Sequence, residues 1–201
     1  MSNNKKSRRQ FLSSSSVALT AGWVALNMPL LLAAGETAQA NLESGADYKN
    51  ISAEQAVELS AFADQIIPPG ETPGAVEAGV VYFMDAALGT FMAGTLPMIE
   101  AGLADWHQKA QTRNAEAKLF SQLTKSQQKD QLTAEENTPV FGLLHTMVLF
   151  GMFSSPSHGG NRDEAGWKLL GFDKRHVWSP PFGYYDAEAM GSTGYTGDNH
   201  V

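Results

Sequence analysis

Four helix starts are legible in this chain before any composition is counted. Ser52-Ala53-Glu54-Gln55 and Thr124-Lys125-Ser126-Gln127 each set a hydroxyl three residues ahead of a Gln. That is the capping box, in which side chains satisfy the free N–H groups of a helix N-terminus. Thr72-Pro73 and Thr138-Pro139 each set a cap before a proline, whose missing N–H has no partner to lose at the first helical position. Ala56, Leu59, Phe62, Ala63 and Ile66 follow the first start at helical spacing until Pro68-Pro69. Val76, Val80, Phe83, Met84 and Ala87 follow the second up to Gly89. A third helix is expected over residues 97–113 with Met98, Leu103 and Trp106 on its apolar side, and residues 115–123 continue or follow it. The Thr124 box opens a short polar helix that includes Leu132.

Behind Thr138, residues 140–152 are apolar nearly all round, which assigns them to a core or an interface. That run is too short to span a bilayer. Asn161 is placed to cap a short helix carrying Asp163 and Glu164 in its first turn, with Gly171 at its C′ position. No strand alternation and no internal repeat competes with these helices. The expected class is all-α, a single compact multi-helix domain over residues 41–187 with an extended C-terminal tail, disordered over 188–201.

Residues 1–40 read differently. Arg8-Arg9-Gln10-Phe11-Leu12 precedes a serine run and a mostly apolar stretch over 17–34 that ends near Ala38-Gln39-Ala40. Basic, apolar and small-residue regions in that order make a secretory signal. Arg8, Arg9, Phe11 and Leu12 resemble the twin-arginine export motif, with Ser13 where a Lys is usual. A permanent membrane anchor is the competing reading, but Thr20, Gly22, Asn27 and Pro29 dilute the apolar run. Cleavage after Ala40 would remove four basic residues and one acidic, taking the net charge from −7 to −10. The expected location is the periplasm, reached through the twin-arginine translocase, which passes folded proteins. Such export serves a chain that holds a cofactor inserted in the cytoplasm, or one bound to a partner that does.

With 14 Lys+Arg against 21 Asp+Glu and no basic cluster beyond residue 9, the chain lacks the cationic face that a nucleic-acid binder needs. The absence of Cys removes disulfides, thiolate nucleophiles, Fe–S clusters and attached haem c together. Five histidines are present, none at the spacing that sets two imidazoles on one helical face. His145, the one ionisable residue in the apolar 140–152 run, reads as a hydrogen-bonded core or interface histidine before it reads as a ligand. Ser154, Ser155 and Ser157 lie near His158 without the elbow that a serine hydrolase requires. The adjacent pairs Glu135-Glu136 and Asp163-Glu164 fall on different helical faces and read as solvated charge. His158-Gly159-Gly160-Asn161 with Trp167 is the densest segment, either a tight turn that lets Trp167 pack or an approach for a ligand. No catalytic, cofactor-binding or metal-binding set emerges. A second reading makes the chain an independent periplasmic metal binder or enzyme, using His145, His158 and His176 gathered by folding.

Two blocks carry a family resemblance. One runs from Ala63-Asp64-Gln65-Ile66-Ile67-Pro68 through Pro73-Gly74-Ala75-Val76-Glu77-Ala78-Gly79-Val80 to Phe83-Met84-Asp85. The other runs from Gly151-Met152-Phe153-Ser154 through Gly159-Gly160-Asn161-Arg162-Asp163 to Gly166-Trp167-Lys168-Leu169-Leu170-Gly171-Phe172. In these the chain resembles the gluconate 2-dehydrogenase subunit 3 family, the small subunits of membrane-associated sugar and polyol dehydrogenases. A departure stands at His158, where family members often carry Tyr before Gly-Gly-Asn. The resemblance implies a subunit with no active site of its own. Its partners would be a large FAD-dependent subunit of the glucose-methanol-choline type and a c-type cytochrome carrying haem c. The role implied is to assist maturation of the flavoprotein and carry it through the twin-arginine pathway. His158, Gly159, Gly160, Asn161 and Trp167 are the partner-interface candidates.

Overall fold

The computed structural model describes residues 28–172, apart from 31, 35, 39, 42 and 46 and the side chain of His158. The export motif at Arg8, Arg9, Phe11 and Leu12, His176, and the expected tail lie outside the described residues. Among those described, helices alternate with turns and no strand occurs. The all-α expectation holds.

The main elements are α1 (Ala53–Ile66), α2 (Val80–Leu88), α3 (Leu96–Arg113), α4 (Lys125–Glu135), α5 (Pro139–Phe153) and α6 (Ala165–Leu169). Both capping boxes form as read: Gln55 N–H donates to the Ser52 hydroxyl and Gln127 N–H to that of Thr124. The Thr138 hydroxyl accepts from Phe141 N–H behind Pro139 at N1. Gly171, at φ +64°, ends α6 in the left-handed conformation expected of a C′ glycine.

Three expectations are corrected. Thr72-Pro73 opens no helix: the chain turns through residues 75–79, and α2 begins after Gly79, whose φ of +79° breaks the helical path. Along α3 the buried stripe is Ile99, Leu103, Trp106 and Ala110, so Met98 faces outward one residue off the seam. Residues 115–123 form a loop with one 3₁₀ turn, Phe120–Gln122, whose Phe120 and Ser121 N–H groups bond to the Glu58 side chain of α1 instead of continuing a helix. Helix α5, read as a core or interface helix, is buried along Val140, Leu144, Met147, Val148, Gly151 and Met152, while Phe150 on its other side is 52% exposed.

The core is built where α1, α2, α3 and α5 converge on Leu59, Phe62, Met84, Trp106, Leu144 and Met147, all fully buried. An aromatic chain ties α1, α3, α5 and the 3₁₀ turn at Phe120 together. Phe62 meets Trp106 at 5.6 Å between ring centroids and Phe141 edge-on at 5.6 Å, and Trp106 meets Phe120 at 5.4 Å. Lys109 of α3 bridges Asp105 on its own helix and Glu135 of α4, at 2.5 and 2.6 Å. Its hydrogen bonds to those two carboxylates raise its pKa, in that order of size. Asp105 is exposed but Glu135 is buried, so Glu135 is not the solvated charge its sequence position suggested: Lys109 reaches over from α3 to pair it and ties α4 to α3.

Candidate functional site

Three buried polar constellations organise the domain, and each serves the chain's own backbone. The first is the α5–α6 corner. Helix α5 ends at Phe153, the 3₁₀ turn Pro156–His158 follows, and Gly159 turns the chain at φ +88°. Gly160 then passes so close beneath the end of α5 that a Cβ there would lie 2.0 Å from the Gly151 carbonyl oxygen. Asn161 is fully buried and left-handed, at φ 51°. Its amide donates to the Ser154 carbonyl at 2.9 Å, and its oxygen accepts from Gly166 N–H at 2.7 Å. Trp167 Nε1 donates to the Phe153 carbonyl at 3.0 Å.

Asn161 therefore caps as expected in kind but not in register, since it reaches Gly166 across the 3₁₀ turn Arg162–Glu164. Asp163 and Glu164, at φ 54° and 58°, do not enter α6 as a first turn. Of the proposed interface residues, Gly159, Gly160 and Asn161 are buried against their own chain and Trp167 is half-buried. His158 closes the 3₁₀ turn, and its side chain lies outside the described part. At this end of the domain Phe150, Leu169 and Leu170 are exposed large apolar side chains.

The second constellation is Asp85 on α2. Its carboxylate is 1% exposed and accepts from three consecutive backbone N–H groups: Asn50 at 2.7 Å, Ile51 at 3.0 Å and Lys49 at 3.1 Å. The Asn50 amide returns a bond to the Asp85 carbonyl at 2.9 Å. A buried carboxylate here takes the place of a missing strand or helix partner for the segment leading into α1. Tyr48 packs against Tyr82 at 4.8 Å between centroids. Burial, with Tyr82 and the Asp85 charge behind it, raises the Tyr48 pKa.

Glu58 on α1 is the third. It is fully buried. Oε2 accepts from Phe120 N–H at 3.0 Å and lies 3.1 Å from His107 Nε2, while Oε1 accepts from Ser121 N–H at 3.0 Å. This pair forms the floor of an open cleft of about 330 Å³ between α1 and α3, with Glu54, Gln55, Glu100, Leu103 and Ala104 around it. Glu58→Gln turns one acceptor oxygen into a donor that faces another donor. A loss of about 1–3 kcal/mol is expected, read as a fall in Tm, with His107→Ala costing less because both backbone bonds survive. Equal melting of Glu58→Gln and the parent would contradict this assignment.

Sequence reasoning passed over Asp85, Glu58 and His107 as sites. The signal available for the acids was position: each is an acidic residue on the apolar side of its helix, where solvated charge does not belong. His145, by contrast, is half-buried and stacked on Phe141 at 5.9 Å, a packing role. Among the described residues, no three His, Asp or Glu side chains gather where they could hold a metal ion. No single helix among them is long and apolar enough to cross a membrane.

Compared with known proteins, residues 53–173 match the family described as Gluconate 2-dehydrogenase subunit 3. No curated protein and no solved structure matches the chain.

Proposed function

This chain belongs to the gluconate 2-dehydrogenase subunit 3 family, and from that premise we propose that it matures and exports a flavoprotein without doing chemistry itself. As a member of that family it is an accessory subunit of a dehydrogenase complex. The partner proposed is a large FAD-dependent subunit acting on a sugar, sugar acid or polyol, with a c-type cytochrome to receive the electrons. The assembled complex would work in the periplasm after passing the twin-arginine translocase.

One observation carries the reading beyond the family match. The three buried polar side chains most suited to chemistry, Glu58, Asp85 and Asn161, have oxygens already occupied by this chain's own backbone N–H groups. A group whose acceptors are filled by its own fold is a brace, not a base waiting for substrate. The exposed apolar side chains Phe150, Leu169 and Leu170 at the α5–α6 corner are suited to the partner contact.

The test is co-expression of this chain with its dehydrogenase subunits. Arg8→Lys with Arg9→Lys should leave FAD-loaded large subunit in the cytoplasm and abolish periplasmic dehydrogenase activity. Normal periplasmic flavoprotein in that double variant would overturn the export role.

A further inference from the structure

Ala38, one of the small residues that read as a processing site, packs against the folded domain, while Ala40 is exposed on its helix. The described residues between 28 and 44 are helical, and Ala34, Ala38 and Asn41 are buried at the i, i+4, i+7 spacing of one helical face. Ala34 and Ala38 form a cluster with Ala86 of α2, against which Tyr82 and Phe91 pack. Because all three partners are alanines, the helix lies close on α2 with little side-chain entropy to lose. Within the helix, Thr37 donates to the Ala33 carbonyl at 2.9 Å and Ser44 to that of Ala40 at 2.8 Å. Gly45, left-handed at φ +62°, ends the segment. Towards the N-terminus Met28, Leu30 and Leu32 are exposed and apolar.

We propose that this helix is a strap across α2 that shields the bond after Ala40 from processing, so that the folded chain keeps its N-terminal segment. A peptidase takes its substrate as extended backbone, whereas Ala38, the third residue before the bond, is 0% exposed and Ala40 and Asn41 on either side of the bond are helical. Cleavage then requires the strap to lift and unwind, and its rate follows the fraction of chains in which it has done so. A retained segment would carry its apolar N-terminal residues as a tether, holding the accessory subunit at the membrane.

The test uses purified full-length chain and leaves export out of the readout. Incubated with a bacterial leader peptidase in detergent micelles, the native chain should resist cutting. Ala86→Glu, which puts a charge under the strap and leaves Ala38-Gln39-Ala40 intact, should be cut after Ala40 at least roughly tenfold faster. Cleavage of both at one rate, or of neither, overturns the shielding. Docking is read separately, since the chain has no cysteine of its own. A thiol at Ala38→Cys should react with a water-soluble maleimide roughly tenfold more slowly than one at the exposed Glu36→Cys. Equal reactivity in folded protein overturns the strap altogether. The tethering consequence rests on the export reading, whose own failure would show in the Arg8 and Arg9 variant and not in these two measurements.

Discussion

Asp85→Ala is expected to cost about 3–5 kcal/mol, a large share of the stability of any single domain. The alanine removes the acceptor for three backbone N–H groups, those of Lys49, Asn50 and Ile51. Each donor left buried without a partner costs about 1–3 kcal/mol, and the Lys49 end of the segment can recover some of that from water. Tm should fall by roughly 6–20 °C for a domain of this size, measured by circular dichroism at 222 nm. Asp85→Asn separates the causes. An amide oxygen in the place of Oδ1 still accepts from Asn50 and Ile51, while its NH₂ faces the Lys49 N–H. It should lose about 1–2 kcal/mol. Alanine and asparagine melting together, near the parent, would mean that the clasp contributes little and that the segment before α1 is held by packing alone.

Gly160→Ala and Gly166→Ala should be nearly as damaging for a different reason. The added Cβ would lie 2.0 Å from the Gly151 carbonyl oxygen in the first case and 1.9 Å from that of Met152 in the second. Those oxygens belong to the last turn of α5, so no rotamer change can relieve the contact. The corner must open, and with it go the Asn161 bonds to Ser154 and Gly166. Overpacking usually costs about 1–3 kcal/mol. With two buried hydrogen bonds lost as well, about 3 kcal/mol or more is expected, read as a lower urea midpoint with unchanged m-value. Gly142→Ala is the internal control. Nothing lies within 4 Å of a Cβ at that helical, exposed position, so the alanine should stabilise by about 0.5–1 kcal/mol. A Gly160→Ala chain as stable as its parent would show that the approach at the corner is looser than the structure has it.

These two sites also mark how far the sequence could be read. The local devices at helix starts were legible because their physics is local. Ser52 with Gln55, Thr124 with Gln127, and Thr138 with Pro139 each satisfy a helix terminus within four residues. Apolar periods gave α1, α3 and α5, the Thr124 box gave the polar α4, and together they gave the all-α class. Thr72-Pro73 misled because the same cap chemistry was overruled from outside the segment. Gly74 lies tight against Pro69, Ala75 N–H bonds to the Ile67 carbonyl, and Gly79 goes left-handed, so the path turns before α2 can start.

The Gly159-Gly160-Asn161 segment was legible as special but not as to why. Its composition fits a ligand loop, a partner contact or a tight turn equally well, and only the position of α5 above it makes it an internal brace. Asp85 and Glu58 were hidden for a related reason. Their hydrogen-bond donors stand about 35 and 62 residues away in the chain, and a sequence does not state which distant backbone N–H a carboxylate will meet. The sequence by itself therefore determined the all-α class, the starts of α1, α4 and α5 and the family, because caps and periodicity act within a few residues. The tertiary structure alone decided which polar groups are braces, where Ala38 is hidden, and which apolar side chains are left outside, because burial depends on what every other helix covers.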